Sequence, residues 1–146
     1  MVIVIAIAAI MSVIAIPFFG GFVANRNLKS AARDLAGDIF ATRERSLAED
    51  RLYQITFAGS TYNILQCNDN TTNCAAGYSV IGTKSPVSFD NGITITAVPA
   101  GNTIQFQPRG TVTAGNVTLK NSRNSVASIT ISLTGRTSVD WTGTLH

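Results

Sequence analysis

Apolar residues fill the first nineteen positions: MVIVIAIAAIMSVIAIPFF carries no charge, and only Ser12 and Pro17 interrupt it. As a helix rising 1.5 Å per residue, the run covers roughly 28 Å, about the hydrocarbon thickness of a bilayer, which predicts a membrane helix. A buried core helix is the weaker alternative, because helices inside soluble cores seldom run this long without a polar position. Pro17 lacks an N–H and its ring crowds the carbonyl four residues back, so a kink or loosening is expected over residues 13–17. Gly20 and Gly21 add a second soft point.

Beyond the first charge, Arg26, the pattern changes. Leu28, Ala31, Ala32, Leu35, Ile39, Phe40 and Leu47 recur at three- and four-residue steps, which predicts a helix with one buried face running to about Asp50. From Leu52 the period becomes two. Tyr53, Ile55 and Phe57 alternate with polar residues, Gly59-Ser60 turns the chain, and residues 61–66 return as a hairpin partner. Further strands are expected at 78–81, 87–89, 93–98 and 103–107 between Gly, Pro and Asn punctuation. Val117 and Leu119, then Ala127, Ile129, Ile131 and Leu133, alternate with polar neighbours, and Gly135 opens a last strand through Trp141.

A sheet with one apolar face must bury it, and the only candidate is the apolar stripe of residues 28–47. The predicted fold is therefore α+β. A long N-terminal α-helix has a membrane half, residues 1–25, and an amphipathic half, residues 26–50. The latter packs on an antiparallel β-sheet domain, residues 51–146, so that residues 26–146 form the soluble head.

Composition narrows this picture only a little. The 146 residues fit one domain, and the head is rich in Thr, Ser, Asn and Gly, which suits β structure. A net charge of +3 allows weak attraction to polyanions or acidic lipid without requiring it. Cys67 and Cys74 enclose NDNTTN, a spacing that suits a short disulfide in an oxidising compartment, with two free thiols as the alternative. A zinc site would need more ligands, and His146 is the only histidine. One carboxylate, Asp69, among Asn68, Asn70 and Asn73 makes a wet loop a better reading than a calcium site. No Gly-x-Ser-x-Gly elbow surrounds a serine, so no catalytic residue, metal, cofactor or small-molecule substrate is expected.

An apolar helix at the extreme N-terminus, a proline near its middle, an amphipathic continuation and a β head together resemble a type IV pilin or type II secretion pseudopilin. FQPRGTV, residues 106–112, and ITISLTGRTSV, residues 129–139, resemble the F-x-P-x-G and Gly-Arg strands of the GspH/FimT group of minor pseudopilins. Physically, Pro108 and Gly110 can set a turn, and Gly135 can supply a positive φ before the last strand. The leader-peptidase site and glutamate that the family places before such an apolar run match no residue of this sequence. Arg26, Lys29 and Arg33 would by themselves draw the head into the cytoplasm, so a basic leader ahead of Met1 is expected.

The resemblance implies a structural minor subunit of a type IV pilus or type II secretion pseudopilus. It would be held single-pass in the bacterial inner membrane with its head in the periplasm, and would then assemble with other pilin or pseudopilin subunits through inner-membrane machinery. Ile3, Ile5, Ala6, Ala8, Ala9, Ile10, Ser12 and Pro17 would form the assembly helix. The alternative is a DNA-binding minor pilin acting in DNA uptake, because members resembling FimT are implicated in capturing DNA through a Gly-Arg-x-Arg tail. Here Arg136 takes the first Arg position, Ser138 stands at the second, and Arg109, Lys120 and Arg123 are the other cations available to duplex DNA.

Overall fold

A computed structural model describes residues 2–69 and 73–142, with the side chains of residues 2 and 5–19 outside the description. One helix, α1 (Val2–Glu49), is continuous through Pro17, Gly20 and Gly21, so the expected soft points do not interrupt it. It ends at Asp50, whose backbone adopts a left-handed φ of 49°, a conformation its short polar side chain tolerates. Arg51 N–H then reaches back to the Ser46 carbonyl at 3.3 Å.

Among the described residues eight strands follow: β1 (Tyr53–Ala58), β2 (Thr61–Cys67), β3 (Tyr78–Lys84), β4 (Thr94–Ala97), β5 (Thr103–Phe106), β6 (Gly115–Lys120), β7 (Val126–Ile131) and β8 (Thr137–Thr142). They form two four-stranded sheets rather than one, in the orders β3-β2-β1-β5 and β4-β6-β7-β8, with every named pair antiparallel. The predicted hairpin is present: β1 and β2 are in register from Tyr53↔Gln66 to Ala58↔Thr61, and Gly59 turns at φ +61°. Residues 87–89, expected as a strand, instead lie in and beside a short 3-10 helix, Pro86–Ser88. Pro86 cannot donate to a ladder, and Ser85 Oγ accepts from Val87 N–H as an N-cap, so both residues favour the helical turn.

The inner faces of both sheets share one core with the helix. Leu28, Ala31, Ala32, Leu35 and Ile39 meet Tyr53, Ile55, Phe57 and Ile104 of the first sheet and Val117, Leu119, Ala127 and Ile129 of the second. Two members assigned to the buried stripe lie elsewhere: Phe40 is 56% and Leu47 38% exposed. At about 100° per residue they sit roughly 140° and 120° round the helix from Leu35. Thr42 and Ser46 take the buried angles instead, Thr42 Oγ1 donating to the Asp38 carbonyl and Ser46 Oγ to the carbonyls of Arg51 and Phe106.

Leu35→Ala is therefore expected to lower the urea-unfolding free energy by about 2–5 kcal/mol, and Phe40→Ala to stay within about 0.5 kcal/mol. Equal losses from the two substitutions would contradict this assignment of the core.

Candidate functional site

The joint between helix and head gathers most of the charged side-chain contacts among the described residues, and its two flanks differ in charge. On the flank facing the first sheet, Lys84 Nζ bridges Asp38 Oδ1 at 2.9 Å and Asp34 Oδ2 at 3.3 Å, while Tyr62 donates to Asp38 Oδ2 at 2.6 Å. Lower on the same sheet, Glu49 Oε2 accepts from Tyr53 at 2.6 Å and from Gln66 Nε2 at 2.9 Å. Burial and then the Glu49 hydrogen bond push the Tyr53 phenol up to about 12. Burial and the Asp38 hydrogen bond raise Tyr62 further, and the hydrogen bond to Asp38 raises the Lys84 ammonium.

The opposite flank is basic or neutral. Asn121 Nδ2 donates to Asn25 Oδ1 at 3.0 Å, and the Asn121 Oδ1 accepts from the backbone N–H groups of Arg123 and Ser125, closing the β6–β7 turn. Lys29 lies over the Trp141 ring at 5.7 Å. Arg43 Nε reaches the Gly110 carbonyl at 3.4 Å.

Arg43 also lies beside the glycines of both sequence motifs. Gly110 (φ +84°) and Gly135 (φ +76°) bring their backbones against it, as the turn readings required. A side chain on Gly135 would collide with Arg43 Nε and Cδ and approach Val112 Cγ2 at 3.1 Å. Positive φ at both glycines was readable from the turns, but the crowding at Gly135 was not, since nothing local to Arg43 marks it as the residue packed against that turn.

Cys67 and Cys74 are joined in a disulfide and pack with Leu52 and Tyr78 in a small second core. With the sulfurs bonded to each other, the nearby Asp69 has no thiolate partners for a metal ion, and its Oδ2 accepts from Ala76 N–H. The Asn68 amide is likewise engaged, with Ser79 Oγ and the Ala76 carbonyl. Residues 70–72 lie outside the described residues. A shallow cleft of about 180 Å³ opens beside Phe57, Gly59, Ile95–Val98 and Asn102, and no acid, base or thiol lines it.

The four cations proposed for DNA do not converge. Arg123 lies over Gly20, and Lys120 ends the adjoining strand. Arg109 and Arg136 neighbour Gly110 and Gly135, which both pack against Arg43. Along the helix the two pairs are separated by roughly 35 Å. Of the expected assembly residues, Ile3 is exposed, and the side chains of Ile5, Ala6, Ala8, Ala9, Ile10, Ser12 and Pro17 lie outside the described residues. Among the described residues no helix is long and apolar enough to cross a membrane.

A sequence model of the family described as type II transport protein GspH matches residues 31–135. No curated protein sequence matches the chain. Among solved structures, the fold is similar to the minor pseudopilin EpsH of the Vibrio cholerae type 2 secretion system, at 12% identity over 79% of this chain and 97% of that one, with a TM-score of 0.61. The type IV minor pilin FimU of Pseudomonas aeruginosa matches at 16% identity over 82% and 92%, with a TM-score of 0.60. E. coli GspH matches at 12% identity over 82% and 91%, with a TM-score of 0.62. All three share the arrangement of one long helix on antiparallel sheets, and none of their descriptions lends support to the DNA-uptake alternative.

Two outcomes follow from the joint. Unfolded Tyr53 ionises as pH passes 10.0, while the folded phenol keeps its proton to about 12. Stability is therefore intact below about pH 10 and falls as pH rises toward 12, with loss of the Lys84 ammonium acting in the same direction. A pH series of urea melts checks this, and Tyr53→Phe should flatten the upper limb. Gly135→Ala should cost about 2 kcal/mol or more, and Arg43→Ala in the same chain should recover part of that loss in a double-mutant cycle.

Proposed function

Because this chain belongs to the GspH family of type II transport proteins and is a minor pseudopilin or minor pilin, we propose that residues 1–19 anchor it in the bacterial inner membrane before assembly. The head, residues 26–146, then occupies the periplasm, where the Cys67–Cys74 disulfide is at home. From the membrane the subunit passes into a pilus or secretion pseudopilus beside other pilin or pseudopilin subunits, recruited by inner-membrane machinery. It does so as a structural element without catalytic, metal or cofactor chemistry.

The observation that carries this reading is the reach of α1 beyond the head. The helix starts at Val2, whereas its first buried apolar side chain against the head is Ala24. The intervening stretch amounts to roughly 33 Å of rod, enough for a bilayer crossing or for the core of a helical bundle. Small and branched residues there, Ala6, Ala8, Ala9 and Ser12 among Ile3, Ile5 and Ile10, suit close helix-on-helix packing.

Placing a carboxylate at the centre of this run tests the proposal. Ile10→Asp is expected to abolish incorporation into filaments, scored by the subunit's presence in sheared pili or pseudopili. The head should keep its disulfide and its urea midpoint. Filaments that incorporate the variant normally would overturn the assembly role of the helix.

A further inference from the structure

The end of the head nearest the apolar half of α1 has a composition unlike the rest of the surface. Arg26 and Lys29 are exposed on the helix, Arg123 is exposed on the β6–β7 turn, and Lys120 is half-buried at the end of β6. The hydrogen bond from Asn121 to Asn25 sets the β6–β7 turn against this part of the helix, and the Arg123 guanidinium lies over Gly20, its Nη2 2.9 Å from the site a Cβ would occupy. None of the four is in an ion pair with a described residue. Arg33, one to two turns above Arg26, adds to the same field. Among the described residues, Asp90 beside Ser122, Asp140 next to Trp141 on β8, and Asp34 after Arg33 oppose it.

Apolar side chains stand exposed at the same level. Phe22 is 69% and Val23 50% exposed, and Trp141 is 38% exposed with Lys29 over its ring. Cations interleaved with an exposed aromatic ring and aliphatic groups, directly after an uncharged run of bilayer length, are the composition that a lipid headgroup layer selects. Phosphates take the charges, while the ring of Trp141 and the side chains of Phe22 and Val23 enter the boundary below them. A second copy would have to offer its acidic flank, whose Asp34 and Asp38 are already bridged by its own Lys84, and duplex DNA gives Phe22 and Val23 nothing to bury against.

We propose that this basic end is a docking surface for anionic phospholipid headgroups, which seats the head on the membrane before the subunit enters a filament. The inference rests on the anchor reading above, but it concerns the base of the head and not the helix in the bilayer. Its consequence is a fixed orientation: the helix axis and the acidic flank around Asp34 and Asp38 are held at a set height and tilt, instead of swinging on the anchor.

The chain carries a single tryptophan, Trp141, which makes the surface its own reporter. The full chain is reconstituted into vesicles of phosphatidylcholine alone, or mixed with phosphatidylglycerol, and recovered by flotation. With phosphatidylglycerol, Trp141 emission is expected to shift to the blue and to be quenched by brominated lipid, and raised salt should reverse both effects. Arg123→Gln and Arg26→Gln should each lower the lipid-contacting fraction relative to the free one about fivefold, while Arg123→Lys keeps it. A chain that floats with both vesicles but shows the same Trp141 emission in each overturns the inference and leaves the anchor standing. A chain that floats with neither overturns both. The same shift produced by inorganic phosphate, or by duplex DNA with phosphatidylcholine vesicles, would assign the surface to that ligand and overturn the lipid proposal.

Discussion

Two sheets of this head share a single apolar partner, the face of α1 that carries Leu28, Leu35 and Ile39. Among the described residues neither sheet has another α-helix to cover it, and the inner faces of β1, β5, β6 and β7 share one core with that face. Burial of apolar area is the main favourable term in folding, and here it is concentrated on about four turns of one helix. The small residues Ala31 and Ala32, buried between larger ones, let both sheets approach the helix backbone closely.

The polar residues beside that stripe fix how the helix is rotated. Asp34, Asp38 and Glu49 meet donors of the first sheet, whereas Asn25, Lys29 and Arg43 meet the turns and strand end on the other side. A rotation by one residue, about 100°, would carry the carboxylates off Tyr62 and Lys84 and the apolar stripe out of the core together. Several of these ties are half-exposed and individually weak, so their value is in register more than in energy. Arg43 differs in kind, since the turn at Gly135 packs its backbone tightly against it and the turn at Gly110 offers it a carbonyl.

Much of this was legible in the chain. The switch from period 3.6 to period two at Leu52 marks the passage from helix to strands, and Gly59, Gly110 and Gly135 sit where turns were expected. The cysteines pair, and the family resemblance carried by FQPRGTV and GRTSV agrees with the family match. What was not legible depends on tertiary context. Phe40 and Leu47 are apolar at nearly helical spacing, yet Thr42 and Ser46 hold the buried angles because each satisfies its hydroxyl within the fold. The strand expected at 87–89 gave way to a proline and a capping serine. Division of the strands into two sheets follows from pairings between distant segments, such as β1 with β5, which alternation alone does not encode. Convergence of cations is likewise a property of topology: Arg123 of the β6–β7 turn lies at Gly20, whereas the motif glycines Gly110 and Gly135 lie beside Arg43.

The contact between α1 and the sheets runs parallel to the helix axis, from Ala24 to Ser46, roughly 33 Å of continuous rod. Tension applied at the N-terminal end therefore loads that whole seam in shear. Contacts arranged in this way resist together, whereas a head hung from a hinge would peel away one turn at a time. Force along α1 is therefore shared by the whole length of such a lap joint.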